Sequence, residues 1–143
     1  MNTIAEIQIS YSSHIKKEDR KAIKSSDDAY SVFLELWNKE TIEIQEECKA
    51  LLLNRANEVL GVLHLSRGGI TGTVVDVKLL LASAIKSGAS GILLAHNHPT
   101  GNLTPSKHDK TITKKLKTAC KYLDIVLLDH IIITKENFVS IKN

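Results

Sequence analysis

The sequence predicts an α/β fold, a mixed sheet flanked by helices, on three observations. Several stretches behind capping residues place apolar side chains at helical spacing. Two apolar runs are joined by a short polar turn, the pattern of a hairpin. Residues 91–95 (GILLA) are almost continuously apolar, as a strand covered on both faces requires. Interleaved helices, hairpins and buried runs close as a sandwich around one sheet. The chain has 143 residues, 43% hydrophobic and 24% charged, which suits one domain with a real core and excludes a disordered chain.

Residues 1–24 read as a polar N-terminal arm with one short strand where Ile7, Ile9 and Tyr11 alternate with polar residues. Ser25, Ser26 and Asp27 offer a cap, and Tyr30, Phe33, Leu34 and Trp37 follow at helical spacing, giving a helix over about 27–38. Residues 48–53 and 59–65 read as the hairpin strands, with a turn at 54–58. Arg67, Gly68, Gly69 and Gly72 mark a flexible connection, read as a simple loop in preference to an anion-binding one. Asp76 caps a second helix over about 77–87, ended by Gly88. After the buried run, Thr104 and Pro105 offer a cap and a first helical position for a third helix. Its apolar stripe is Ile112, Leu116, Ala119 and Leu123. Residues 125–128, 130–134 and 138–141 close the pattern as strands.

Composition also bounds the setting. No run approaches the roughly 20 apolar residues of a membrane span, and the first thirty residues carry charges of both signs without a signal core. Cys48 and Cys120 match no metal or redox spacing, so the expected compartment is the reducing cytoplasm and both are expected as buried apolar groups. The net charge of +3 is uneven: residues 1–50 hold ten acidic and seven basic side chains, and the remainder six and twelve. Six lysines (Lys107, Lys110, Lys114, Lys115, Lys117 and Lys121) crowd one segment. With only six aromatics in the chain and none interleaved there, a solvated helix face is the preferred reading over a nucleic-acid interface.

Both prolines of the chain fall between His96 and Asp109. His96 and His98 are two apart at the end of the buried strand, so their rings project from one face. Asp109 lies in the first turn of the next helix, and a loop bearing proline and glycine returns it to the strand end. Two imidazoles and one carboxylate, with a position left for water, form the donor set of a catalytic zinc. A structural zinc calls for four ligands, often cysteines, and neither cysteine is near in the sequence. A His–X–His pair alone more often marks two satisfied loop histidines; the strand end, Ser106 and Asp109 at matched spacing add the weight.

His96–X–His98, seven residues, Ser106, two residues and Asp109 reproduce the JAMM (MPN+) metalloprotease pattern. The wider text, LLAHNHPTGNLTPSKHDKTITKKLK followed by LDHIIIT, resembles the RadC family over about residues 25–143. The resemblance implies a cytidine-deaminase-like (JAB/MPN) sandwich holding one zinc per chain, with His96, His98 and Asp109 as ligands and Ser106 supporting the oxyanion or the water. It further implies an upstream glutamate that takes a proton from the attacking water. The family's pattern of a glutamate eight residues before the Asn or Asp ending the strand selects Glu46, with Asn54 as endpoint and Glu47 as the alternate. The implied reaction is hydrolysis of an amide or isopeptide bond in a peptide or protein. The alternative is a non-catalytic zinc-bearing interaction module linked to DNA repair or processing.

Larger members of that family carry a helical region before this domain, where only the arm is expected here. Thr100 stands where serine is common and Lys78 where many members have arginine. His108 is expected to pack toward Ile112, Asp129–His130 to form a turn or a hydrogen-bonded structural pair, and His64 and His14 to be structural or exposed.

Overall fold

A computed structural model describes residues 3–68 and 75–141 of the chain. Gly69 and Gly72 of the expected flexible connection lie outside the described residues. Helix α1 (Ser26–Leu36) follows Ser25, whose side chain accepts from the Asp28 amide. The hairpin is β1 (Glu47–Leu53) and β2 (Val59–Arg67), and α2 (Val77–Ser87) is capped by Asp76 and ended by Gly88 in the left-handed conformation. Strand β3 (Gly91–Asn97), helix α3 (Lys107–Tyr122), β4 (Val126–Ile133) and β5 (Phe138–Ser140) complete the order.

The five strands form one sheet in the order β2-β1-β3-β4-β5. Only β3 and β4 pair in parallel; the other neighbours are antiparallel, so the sheet is mixed. Alternation along β1 and β3 divides the core in two. Cys48, Ala50, Leu52, Ile92 and Leu94 face α2 and α3, where Leu80, Ala84, Leu116 and Cys120 meet them. Leu51, Leu53, Leu93 and Ala95 face α1, against Ala29, Phe33 and Trp37. Because both faces are covered, β1 and β3 are buried along their whole length. The expected mixed sheet flanked by helices is therefore the observed architecture.

Four local expectations are corrected. No strand forms at Ile7 and Ile9, which stand 88% and 69% exposed. Further along the arm, residues 21–23 lie against the start of β2: Val59 N donates to Lys21 O, Ile23 N donates to Asn57 O, and Ala22 bridges Glu58. The cap of α3 is Ser106, not Thr104, because Ser106 and Asp109 form a reciprocal capping box that satisfies two backbone amides at once. The buried stripe of α3 is Thr113, Leu116 and Cys120, while Leu123 is exposed. The expected break at Asp129 is absent and β4 is continuous. Asp129 accepts from the hydroxyls of Ser26 and Ser140, so its carboxylate is satisfied without ending the strand.

Candidate metal centre

The register of the sheet assembles the site. Cys48 pairs with His96 in the β1–β3 ladder, so two steps beyond its last pair set Glu46 opposite His98. His98 follows the end of β3, its amide donating to Ile133 O. The start of α3 then brings Asp109 to the same point, at the carboxyl ends of the parallel strands β3 and β4, where open α/β sheets receive ligands.

There the three sequence-selected ligands meet. His96 Nε2 and His98 Nε2 lie 3.1 Å apart. Asp109 spans them, with Oδ1 3.3 Å from His96 Nε2 and Oδ2 3.4 Å from His98 Nε2. Tetrahedral zinc with bonds of about 2.0–2.1 Å separates its ligand atoms by about 3.3 Å, so each of these separations, the two to Asp109 reaching different oxygens, is close to one edge of a zinc site. Glu46 stands beside it, Oε1 3.9 Å from His96 Nε2, and one donor atom each from Glu46, His96 and His98 fall within 4.8 Å of one another. Glu47 points to the other face of β1 and pairs with Arg67 at 3.0 Å and Lys49 at 3.7 Å.

Hydrogen bonds fix which nitrogens face the centre. Thr113 Oγ1 donates to Asp109 O at 2.6 Å, and a hydroxyl has one proton, so Thr113 accepts from His130 Nδ1 at 2.5 Å. His130 Nε2 is then the acceptor for His96 Nδ1–H at 2.9 Å. His98 Nδ1 donates to Asn102 O at 2.7 Å, since a carbonyl oxygen can only accept. In their neutral forms both imidazoles therefore turn Nε2 lone pairs on a carboxylate and on each other. A converging set of acceptors needs a cation or a proton among them, and two imidazole nitrogens with a carboxylate suit zinc. The residues present fit the metal.

Titration behaviour follows this arrangement. The Asp109 carboxylate raises the His98 pKa against the opposing effect of burial. Burial works to raise Asp109, but its bonds with His96, His98 and the Ser106 amide pull it well below the ordinary carboxylate range. Burial, then the charge of His96, push His130 down to about 3, so it is a neutral imidazole. Burial first, then the carboxylates of Glu46 and Asp109, push the Cys48 thiol up. Cys48, distant from the motif in sequence, thus lies beside the centre as a neutral buried group.

Ser106 is exposed; its Oγ accepts from the Asp109 amide at 3.0 Å, while Asp109 Oδ2 accepts from the Ser106 amide at 2.8 Å. Among the described residues its hydroxyl proton is given to no acceptor. His130 is not in a turn: it touches His96 directly, a contact that the spacing from residue 96 to 130 gives no means to see. Its neighbour Asp129 is the purely structural half of that pair. His108 is exposed, and His64 Nδ1 meets Lys49 Nζ at 3.0 Å. Thr113 and Asn97 were not singled out by sequence, having no metal-binding chemistry of their own.

A family model described as the RadC-like JAB domain matches residues 23–143. The chain is 45% identical over 120 residues to a UPF0758 protein of Flavobacterium johnsoniae, covering 84% of this chain and 51% of that protein. A UPF0758 protein of Streptococcus sanguinis is 35% identical over 101 residues, 70% of this chain and 44% of that one. Another, of Porphyromonas gingivalis, is 43% identical over 89 residues, 62% and 39% of the two chains. The chain thus spans about half the length, or less, of these relatives. Among the described residues no helix is long and apolar enough to cross a membrane.

Proposed function

The chain belongs to the RadC family of JAB domains, and from that premise we propose that it is a zinc-dependent hydrolase of amide or isopeptide bonds. One observation carries the reading: two imidazole Nε2 atoms and a carboxylate converge at 3.1–3.4 Å, and a second carboxylate, Glu46, stands beside them. His96, His98 and Asp109 would hold one zinc per chain. When bound, the metal supplies Lewis acidity, lowering the pKa of water toward 7 and polarising a carbonyl. Glu46 accepts the proton of the attacking water and returns it to the departing amine. Ser106 keeps its hydroxyl proton for the developing oxyanion, a donor worth about 3 kcal/mol when well placed. The substrate is a peptide or protein, and the setting is a reducing cytoplasm in which Cys48 and Cys120 remain free thiols.

The test is turnover of peptide and isopeptide-linked conjugates by the zinc-loaded chain beside Glu46→Gln. The variant keeps its zinc and loses about 10²- to 10⁴-fold in rate. Turnover by Glu46→Gln at the wild-type rate contradicts the assignment.

A second reading, a non-catalytic zinc-bearing module that binds nucleic acid, rests on α3. All six of its lysines are exposed, and among the described residues none has a carboxylate within 4.0 Å. It requires salt-sensitive DNA binding that is lost on neutralising Lys114, Lys115 and Lys117 together.

A further inference from the structure

Asn97, the residue between the two ligand histidines, is fully buried, and its side chain lies on the face of β3 opposite the metal centre. Strand alternation demands this: His96 and His98 project to the α3 side, so residue 97 projects to the α1 side. A fully buried amide there is costly unless each of its polar atoms finds a partner. It finds three, all in one short segment. Asn97 Nδ2 donates to Ile42 O at 2.8 Å and to Gln45 O at 2.9 Å, and Asn97 Oδ1 accepts from the Glu47 amide at 2.8 Å.

Gln45 and Glu47 are the two neighbours of Glu46 in the chain. We propose that Asn97 is the positioning residue that holds Glu46 at the metal centre, by gripping the backbone on both sides of it. The proposal rests on the reading of Glu46 as the proton acceptor beside the zinc ligands.

Glu46 precedes the first residue of β1 and lies outside the β1–β3 ladder. Its carbonyl takes one bond, from the Gly68 amide. Without Asn97 the segment 42–46 loses its bonds to β3, while His96, His98 and Asp109 keep theirs to His130, Asn102 and Ser106. The same side chain that spaces the two ligands along the strand thus registers the third element of the site against them. An amide suits the task because it alone offers two donors and an acceptor in one plane. A leucine of similar size in its place would leave two carbonyls and an amide buried without partners.

The experiment is a double-mutant cycle on zinc affinity, read by competition with a chromophoric chelator and needing no turnover. Glu46→Gln in the wild-type chain is expected to weaken zinc about tenfold, as loss of a group beside the ligands does. In Asn97→Ala the same Glu46→Gln change is expected to alter affinity less than twofold, because Glu46 is no longer held there. An equal cost of Glu46→Gln in both backgrounds overturns the proposal, as does no cost in the wild type. Should Asn97→Ala fail to fold, Asn97→Ser replaces it. In the wild-type chain the Glu47 amide is also expected to exchange only as slowly as the core strands; exchange at a loop rate overturns the proposal. A non-additive cycle in a chain that cleaves nothing supports the positioning role and counts against the hydrolase reading alone.

Discussion

A buried neutral imidazole at position 130 makes the metal-free chain acid-sensitive. Its folded pKa of about 3 lies below the ordinary 6.5, so the unfolded chain takes the proton first as pH falls. Stability then declines from about pH 6.5 downward, at up to about 1.4 kcal/mol per unit. His64, lowered by burial and by Lys49, adds a slope of the same sign. His98 acts oppositely and elsewhere: its raised pKa contributes stability below 6.5 that is lost as pH rises through its folded value. Asp109, held low, contributes above its ordinary 3.8 and withdraws that contribution only in stronger acid. Urea unfolding of the zinc-stripped chain from pH 4 to 8 is expected to show a maximum near 6.5, and His130→Gln to flatten the acid limb. An acid limb unchanged in that variant contradicts the account. Thr113→Val tests the same chain of bonds from its other end. It removes the acceptor that fixes the His130 tautomer and is expected to weaken zinc about tenfold while the fold persists; chelator competition and a thermal melt read the two effects separately. The proposed ligands were selected by spacing, and the structure brings their side chains together. His130 and Thr113 were not, because a tautomer is set by contacts between residues far apart in the chain.

At the scale of elements, the start of α3 does two jobs with one pair of residues. Ser106 and Asp109 cap the helix through each other's backbone amides, and the same Asp109 carboxylate spans the two histidines. A stability effect of changing Ser106 must therefore be separated from a chemical one. Ser106→Ala is expected to lose about 1 kcal/mol, roughly 2–4 °C in Tm, and Ser106→Gly only a few tenths. If the hydroxyl serves the oxyanion, both variants lose turnover equally despite that difference; activity that tracks the melting temperature assigns Ser106 to the cap alone. This boundary was read two residues early, because Thr-Pro is itself a helix start, and only the reciprocal pair at 106 and 109 outranks it. Strand β4 was divided for a related reason. A carboxylate at 129 breaks an apolar run on paper, but two serines from elsewhere in the chain supply its partners. The arm failed in the opposite sense: Ile7, Ile9 and Tyr11 have strand periodicity, yet a period is not a partner, and residues 21–23 lie against the start of β2 instead.

In the whole molecule, a five-stranded sheet with helices on both faces brings together residues from four places in the chain. Glu46 arrives at the start of β1, His96 and His98 at the end of β3, Asp109 at the start of α3, and His130 from β4. The class of fold and the two ends of this arrangement were legible because burial and periodicity are local signals. The strand order was not, since the β1–β3 pairing that sets Glu46 opposite His98 joins segments about fifty residues apart. If zinc is resident, it ties two of these places together, the end of β3 and the start of α3, and must stabilise the domain. At a hundredfold excess over Kd it is expected to add about 2.7 kcal/mol, roughly 5–10 °C in Tm for a chain of this size. The most direct measurement is elemental analysis of the purified chain beside His98→Ala and Glu46→Gln. The account predicts about one zinc per chain in the wild type and in Glu46→Gln, and none in His98→Ala. A folded wild-type chain that carries no metal and takes up none from added zinc would contradict it.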